Sequence, residues 1–273
     1  MKKQIVKIIN TRFYVQDSDR VIECTTSGKL KNKKIEPLVG DYCNVTDNVI
    51  TDIIDRKNFL TRPSVANIDQ ALIVTSLKDP LFSTNLLDKL LLVCILNKIT
   101  PIICITKSDL LTKSEKFKFS KIIKYYKKLG IKVLSNKRTF PIKRIFKNKT
   151  TVFTGQSGAG KSTLLNKLDK SLDFKVGDIS YALGRGKHTT RYTTLVNLYG
   201  GKVLDTPGFS SIDLNSFTKE EIRSSFMEFK KYRCGYKDCM HLLEDDCMVK
   251  QAVKDGLILK SRYDNYVKFI EKR

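Results

Sequence analysis

Hydrophobic and polar residues alternate in short runs over roughly the first 55 residues. The runs at 4–9, 12–16, 20–24, 41–46 and 49–54 alternate or are rich in β-branched residues, and turn-forming residues separate them. Such runs predict β-strands. Five short strands so close together predict a small closed barrel, for which an OB-fold and an SH3-like barrel fit nearly equally well.

Beyond about residue 63 the pattern changes to buried strands that alternate with helices. Continuous apolar runs predict strands at 70–75, 101–106, 131–134, 150–154 and 202–204, and helical spacing predicts helices at 84–98, 113–129 and 161–168. Alternating strands and helices favour a mainly parallel sheet covered on both faces. From about residue 216 the chain is predicted to form helices around a group of cysteines. We therefore expect an α/β fold with domains at 1–62, 63–213 and 214–273.

The charge balance favours a polyanionic partner. The chain of 273 residues has 51 Lys and Arg against 28 Asp and Glu, a formal net charge of +23. Such an excess is typical of nucleic-acid-binding proteins, although part of the lysine content is what an AT-rich genome produces on a solvated surface. No apolar run reaches the length of a membrane span or a signal peptide, so we expect a cytoplasmic protein without a membrane partner. Seven cysteines, an odd number, argue against a disulfide scaffold.

A glycine-rich loop follows the strand predicted at 150–154 and leads into the helix predicted at 161–168. Its sequence matches G-x-x-x-x-G-K-[ST] at every position, in the strand–loop–helix context that this phosphate-binding motif requires. Backbone N–H groups and the helix N-terminus attract phosphate oxygens. The lysine would contact the β- and γ-phosphates, and the serine would ligate Mg²⁺. The predicted phosphate-binding residues are Gly155, Gln156, Ser157, Gly158, Ala159, Gly160, Lys161, Ser162 and Thr163.

A candidate base-binding motif, T-K-S-D, ends the strand predicted at 101–106. The carboxylate of Asp109 only accepts hydrogen bonds, so it matches two adjacent N–H groups of guanine and repels the acceptor that adenine offers there. Most GTPases have Asn where this chain has Thr106, which predicts a lower affinity. Ser135, followed by Asn136, ends the next strand and is a candidate for a second base-binding loop. The predicted base-binding residues are Thr106, Lys107, Ser108, Asp109 and Ser135.

The base-binding motif precedes the phosphate loop, whereas the usual order in GTPases is the reverse. A parallel sheet is assembled by pairing in space, so its order along the chain can be rotated while the site is preserved. The motif order therefore predicts a circularly permuted GTPase domain.

Two further segments resemble the switch regions of GTPases. Asp205 and Gly208 form a D-x-x-G pattern after the strand at 202–204, where the aspartate would hold Mg²⁺ and the glycine N–H would contact the γ-phosphate. The next residue is Phe209, where Ras-like enzymes have a glutamine that orients water. Catalysis then requires another group or a partner.

The loop at 184–191 lies between the phosphate loop and the D-x-x-G pattern. Thr189 or Thr190 is the candidate that closes on Mg²⁺, and the predicted magnesium ligands are Ser162, Thr190 and Asp205. His188 is a candidate for orienting the attacking water, with a structural or RNA-contact role as an equal alternative. The predicted catalytic residues are His188 and Lys161.

Three cysteines and a histidine are spaced as C-x4-C-x-H-x5-C near the C-terminus. Three thiolates and an imidazole within a short span suit tetrahedral structural Zn²⁺ and leave no open coordination position. The predicted zinc ligands are Cys234, Cys239, His241 and Cys247.

Taken together, these motifs resemble those of the ribosome small subunit-dependent GTPase A (RsgA) family. The resemblance rests on the permuted order, G-x-S-G-x-G-K-S-T, G-x-H-T-T-R, D-T-P-G-F and the cysteine–histidine cluster, and it covers essentially the whole chain. It implies an N-terminal OB-fold, a central permuted GTPase and a C-terminal helical zinc-binding domain. It also implies that His188 is catalytic and that the small subunit stimulates a slow GTP hydrolysis.

We therefore expect a monomeric GTPase that acts late in the maturation of the 30S subunit and contacts 16S rRNA through the barrel and the zinc domain. GTP with Mg²⁺ would be its substrate, GDP and phosphate its products, and one structural Zn²⁺ its resident metal. One alternative is an RNA-binding assembly protein in which nucleotide is only structural or regulatory. Phe209, which cannot orient water, keeps this alternative open. Another is a P-loop ATPase that acts on nucleic acid, against which Asp109 argues.

Overall fold

The N-terminal strands close into a five-stranded barrel. The computed structural model describes residues 2–32, 35–61, 64–169, 194–205 and 214–271. The barrel strands are β1 (Lys3–Ile9), β2 (Arg12–Asp17), β3 (Arg20–Thr26), β4 (Tyr42–Thr46) and β5 (Val49–Ile53), with the short helix α1 (Gly28–Asn32) between β3 and β4. They pair in the order β1-β2-β3-β5-β4, and β4 returns to β1. This OB-like arrangement confirms the predicted barrel, and alternation buries Ile5, Val15 and Ile50 inside it.

A short hairpin, β6 (Phe59–Thr61) and β7 (Ser64–Ala66), leads out of the barrel. Gly40 approaches this hairpin so closely that a Cβ atom there would lie 2.1 Å from the carbonyl oxygen of Ala66, and its φ is +95°. Only glycine satisfies both conditions without strain. Arg56 bonds the buried carboxylate of Asp41 at 2.8 Å and holds the end of the barrel against the linker.

The central domain is an open α/β sheet. Its strands are β8 (Gln70–Ser76), β9 (Thr100–Thr106), β10 (Lys132–Ser135), β11 (Thr150–Thr154), β12 (Thr194–Leu198) and β13 (Gly201–Asp205). Its helices are α2 (Thr84–Leu96), α3 (Lys113–Lys128), α4 (Thr139–Lys143) and α5 (Lys161–Leu168). The order is β10-β9-β8-β11-β13-β12, and every pair except β12–β13 is parallel, as the alternating pattern predicts.

Strand β12 and helix α4 are additions to the predicted elements. β12 folds back on β13 through a tight turn at Tyr199 and Gly200, both of which have positive φ. Within the described ranges, no helix has both the length and the apolar character that crossing a membrane requires.

The barrel and the central sheet are hydrogen-bonded to each other. Strand β1 pairs with β12 at Lys7 and Thr194, so one sheet of 11 strands runs through both parts. Thr194 also lies opposite Asp205 in the β12–β13 pair. Strand β12 therefore separates the barrel from Asp205, the first residue of the D-x-x-G pattern.

Two of the three C-terminal helices, the first and the last, pack on α2 of the central domain. The three helices are α6 (Lys219–Ser225), α7 (Met248–Lys254) and α8 (Lys260–Glu271), with a 3₁₀ turn at Met227–Lys231 between α6 and α7. Within this module Phe226 and Phe229 stack on each other, and Tyr266 and Phe269 meet them edge-on or tilted. These rings belong to the same apolar core as Leu87, Leu90 and Leu91 of α2.

A buried ion network joins this C-terminal module to the central domain. Arg262 of α8 is 2% exposed and bonds the carboxylates of Asp88 in α2 and Glu228 in the 3₁₀ turn, each at 2.7 Å. Tyr126 and Asn265 donate further hydrogen bonds to Asp88, at 2.7 and 2.6 Å. Burial raises the pKa of Asp88, and the guanidinium opposes that rise. A buried charge is tolerated only when its partners are present.

We expect Arg262→Leu to lower the free energy of unfolding by about 3–5 kcal/mol, because it leaves two buried carboxylates without a counter-charge. This loss of stability should become smaller as the pH is lowered. A carboxyl whose pKa is raised by burial binds a proton in the folded state at a higher pH than in the unfolded state, and the proton removes its charge. Urea denaturation at several pH values measures both effects. Lys260→Leu on the same helix removes an exposed ion pair with Asp264 and should cost less than about 1 kcal/mol. An equal loss in the two variants would contradict a special role for the network.

Candidate functional site

The predicted phosphate loop and base-binding motif meet at one edge of the central sheet. Strands β9, β8 and β11 are parallel neighbours, with Thr106 paired with Ser76 and Thr154 paired with Ile73. The loops after β9 and β11 therefore leave the sheet on the same side. Ligands of open α/β sheets bind at the carboxyl ends of the strands, which is where both motifs lie.

The phosphate loop has the backbone that its sequence predicts. Gly155 has φ +132°, and a Cβ atom there would lie 2.0 Å from the carbonyl oxygen of Val74, so the loop can approach β8 only without a side chain. Gly158 and Gly160 also have positive φ, and α5 begins directly after them at Lys161. The chain thus turns sharply into a helix N-terminus, where backbone N–H groups converge on an anion.

Lys161 is oriented by the loop that it follows. Its Nζ donates hydrogen bonds to the carbonyl oxygens of Gly155 and Gln156, both at 2.8 Å. Burial lowers the pKa of Lys161. A phosphate anion beside this ammonium would favour its charged form. Ala159 and Ser162 are buried within the loop and the first turn of α5, whereas Ser157 and Thr163 are exposed.

Thr106 connects the base-binding motif to the phosphate loop. The residue is 1% exposed, and its hydroxyl donates a hydrogen bond to the carbonyl oxygen of Ala159 at 2.6 Å. The two residues are 53 positions apart in the chain. The amide that Asn would offer is therefore not needed for this link, because the shorter hydroxyl already reaches the loop.

The rest of the motif turns outward from the sheet. Lys107 has a left-handed backbone with φ +54°, and its Nζ donates a hydrogen bond to the carbonyl oxygen of Asp79. Ser108 begins a 3₁₀ turn, and Asp109 within that turn is exposed. The Asp109 carboxylate is thus accessible to a ligand above the carboxyl ends of the strands.

In the second loop, Asn136 is a stronger candidate for a ligand contact than Ser135. The Ser135 hydroxyl accepts a hydrogen bond from the backbone N–H of Lys137 at 3.3 Å within its own turn. The Oδ1 atom of Asn136 is buried, and among the described residues it has no hydrogen-bond partner. An orphaned buried acceptor of this kind has capacity for a further donor, such as an N–H or O–H group of a bound ligand. In the sequence, Asn136 is distinguished only by its position after a predicted strand.

Several predicted switch residues lie outside the described residues. These are His188, Thr190 and Gly208. Asp205 is the last residue of β13, which pairs in parallel with β11, so its backbone lies at the same edge of the sheet as the phosphate loop. The predicted roles of all four residues stay predictions.

The cysteine–histidine cluster is assembled as a compact four-atom site. The Nδ1 atom of His241 lies 3.5 Å from the sulfur of Cys234, 3.3 Å from that of Cys239 and 3.4 Å from that of Cys247. All four candidate ligand atoms lie within 4.8 Å of one another. With bonds of about 2.3 Å to sulfur and about 2.0 Å to nitrogen, the edges of a tetrahedron around Zn²⁺ are about 3.5–3.8 Å. The four atoms therefore fit a tetrahedral structural metal site.

Neighbouring side chains hold the loops of the cluster in place. Glu244 accepts hydrogen bonds from the backbone N–H groups of Met240 and Leu242, at 2.6 and 2.8 Å, around His241, whose own φ is +60°. Tyr263 donates a hydrogen bond to the carbonyl oxygen of His241 at 2.6 Å. Burial lowers the pKa of His241, which favours the neutral imidazole that a metal requires.

Family models cover both the barrel and the central domain. The model described as RsgA N-terminal domain matches residues 2–50, and the model described as RsgA GTPase matches residues 53–215. A small ribosomal subunit biogenesis GTPase RsgA of Bacillus velezensis is 43% identical over 283 residues, 98% of this chain and 96% of the relative. The protein of the same name from Bacillus subtilis is 42% identical over 284 residues, covering 98% and 95%.

Solved structures show the same architecture. The crystal structure of YloQ, described as a circularly permuted GTPase, is 37% identical with a TM-score of 0.82 over 99% of this chain and 94% of that one. The crystal structure of YjeQ from Thermotoga maritima is 32% identical with a TM-score of 0.86 over 99% and 97%. The predicted permutation is thereby confirmed. The chain belongs to the RsgA GTPase family.

Proposed function

We propose that this GTPase binds the small ribosomal subunit and assists its late maturation, hydrolysing GTP to GDP and phosphate under stimulation by the subunit. The observation that supports the GTPase part is the hydrogen bond between Thr106 and Ala159, because it joins the loop that we propose to read guanine to the loop that we propose to bind phosphate. Relatives at 43% and 42% identity are named for small ribosomal subunit biogenesis, which supports the choice of partner. We place the protein in the cytoplasm as a monomer.

The nucleotide would lie across the carboxyl ends of β9, β8 and β11. Asp109 would accept two hydrogen bonds from guanine, and Asn136 would accept one from the nucleotide through its orphaned Oδ1 atom. The N–H groups of residues 155–163 and the ammonium of Lys161 would hold the phosphates. When bound, Mg²⁺ would neutralise phosphate charge, and Ser162, Thr190 and Asp205 are the residues we propose to hold it.

Hydrolysis requires a group that orients the attacking water. Water adds to the γ-phosphorus as the bond to the β-phosphate oxygen breaks, so the enzyme supplies position and charge rather than covalent chemistry. Phe209 stands in the sequence where Ras-like enzymes have glutamine, and its ring has no hydrogen-bonding group for water. We propose that His188 or a group of the ribosomal subunit takes that role.

The proposed RNA contacts of the C-terminal module lie beside the metal site. An open cavity of about 440 Å³ borders the cluster, and none of the described residues that line it is acidic. Its walls carry Arg223, Lys230, Arg233 and Lys237, together with Tyr236, which is 62% exposed. Cations around an exposed aromatic ring are suited to phosphates and unpaired bases. We propose contacts with 16S rRNA here and on the barrel, with domains at 1–62, 63–213 and 214–273.

The proposed function predicts that isolated 30S subunits accelerate GTP turnover at least about tenfold while ATP is not hydrolysed, because water positioning depends on a partner. Phosphate release by the purified protein, with and without 30S subunits, measures this. The 50S subunit is the control partner, and Lys161→Ala is the control for contaminating activity. Equal use of ATP, or no response to 30S, would contradict the proposal. Normal subunit maturation by Lys161→Ala would instead favour an assembly protein with regulatory nucleotide.

Thr106→Val should weaken guanine nucleotide binding about tenfold, because it leaves the buried carbonyl oxygen of Ala159 without a donor, at a cost of about 1–3 kcal/mol. Thr106→Ser keeps the hydroxyl and should bind within about twofold of the wild type. Titration with a fluorescent GDP analogue gives the dissociation constants. Unchanged affinity in Thr106→Val would show that the link between the loops does not matter for the nucleotide.

The metal site predicts about one zinc ion per purified chain, measured by inductively coupled plasma mass spectrometry. Cys239→Ser should lose the metal and lower the melting temperature, because structural zinc stabilises the folded state. Cys24→Ala, which changes a buried cysteine of the barrel, should retain the metal. A metal-free preparation that melts like the wild type would disprove the assignment.

A further inference from the structure

Helix α3 presents a continuous lysine face that the GTPase site does not use. Its 16 residues include seven lysines and one acidic residue, so this one helix contributes a net +6 of the chain's +23. At 100° per residue, six of the lysines fall within an arc of about 140°. They are Lys113, Lys116, Lys121, Lys124, Lys127 and Lys128.

The positive charges of these six lysines are not neutralised by acidic side chains of the described residues. All of them are exposed, and within the described part of the chain none forms an ion pair. The single acid of the helix, Glu115, is on the other side, where it caps the N-terminus and bonds Lys78 at 3.1 Å. Like charges three and four residues apart repel each other. A counter-charge from outside the chain would relieve that repulsion.

The general lysine enrichment that an AT-rich genome produces does not by itself explain the lysine face of α3. Helix α8 is of similar length, yet its basic residues are offset by Asp264 and Glu271, and Lys260 is paired with Asp264 at 2.7 Å. Random enrichment would distribute charge over both helices. In α3 the lysines instead share one side, and the opposite side packs on the core through Phe119, Ile122, Ile123 and Tyr126.

We propose that the lysine face of α3 binds the phosphate backbone of paired RNA, as a contact on the GTPase domain separate from the barrel and the metal module. This proposal rests on the proposed function, which makes ribosomal RNA the polyanion at hand. The face extends about 22 Å from Lys113 to Lys128. Lysines bind phosphates as point charges, so a row of them suits a repeating anion and carries no base specificity.

The composition of the face argues against a membrane surface. Membrane-bound helices place a broad apolar side into the lipid, whereas this face has one large apolar residue, Phe117, at 66% exposure. The Nζ atom of Lys121 lies 4.7 Å from the centre of that ring. A single aromatic ring among lysines can contact a ribose or a base edge without anchoring the helix in a bilayer.

The position of α3 would tie RNA binding to the rest of the molecule. The helix begins at Lys113, four residues after Asp109 of the base-binding motif, so its N-terminus is near the proposed guanine site. Towards its other end, Tyr125 donates a hydrogen bond to Glu228 at 3.3 Å, in the 3₁₀ turn that also carries Lys230 and Lys231. RNA on α3 would therefore lie between the nucleotide and the metal module.

The test neutralises four lysines of the face at once, with Lys116→Gln, Lys121→Gln, Lys124→Gln and Lys128→Gln. Glutamine has nearly the same helix propensity as lysine, so α3 should be retained. The matched control changes four exposed lysines at or near the amino ends of the strands, on the side of the sheet away from the nucleotide: Lys98→Gln, Lys132→Gln, Lys147→Gln and Lys149→Gln. Both variants have the same net charge.

Affinity for 30S subunits and for a fully paired RNA hairpin is measured over a range of KCl concentrations. Each lost phosphate contact lowers the slope of log K against log [salt] by about 0.9, so the face variant should lose about 3 to 4. The control variant should lose less than about 1. GDP affinity and melting temperature should match the wild type in both variants.

An equal change in the two variants, or no change in either, would overturn the proposal. So would a face variant that keeps its RNA affinity but no longer binds vesicles of anionic phospholipid. If 30S subunits neither bind nor stimulate the wild-type protein, the proposed function is wrong. The titration with the RNA hairpin then still tests whether the lysine face binds paired RNA.

Discussion

The parallel alignment of β9, β8 and β11 is the constraint on which the rest of this structure depends. Parallel neighbours end at the same edge of a sheet, so two loops that are far apart in the chain must meet above it. The hydrogen bond from Thr106 to Ala159 closes that meeting point at 2.6 Å. The order of the motifs along the chain is irrelevant to this geometry, which is why a permuted domain retains a nucleotide site.

The other two modules are connected to that sheet by different interactions. The barrel continues the sheet through β1 and β12, so Lys7, Thr194 and Asp205 lie side by side on three neighbouring strands. The C-terminal module is joined through buried charge, since Arg262 bonds Asp88 and Glu228 in the interior. Backbone pairing and a buried ion network both restrict rotation between parts. The three parts thus present their surfaces in a defined arrangement around the nucleotide site.

The sequence by itself determined most of the strands and the motifs that follow them. Apolar runs predicted the strands of the barrel and of the parallel sheet to within about two residues at most ends, because burial on one or both faces dictates their periodicity. The phosphate loop was readable from Gly155 to Ser162, since few residues tolerate its backbone and anion. The spacing of Cys234, Cys239, His241 and Cys247 likewise predicted a site that the structure assembles.

Only the tertiary structure decided how distant residues are combined. The lower nucleotide affinity that Thr106 in place of Asn predicts stays a prediction, whereas the hydrogen bond of its hydroxyl to Ala159 is visible only in the folded chain. Strand β12 and the partners of Arg262 had no local signal, because each depends on residues far away in the chain. Asn136 could be noticed only by its place after a strand, and the burial of its unpartnered acceptor is a result of packing. Local patterns record which side of an element is buried. They do not record which distant group meets it, and that is decided by the packing of the folded chain.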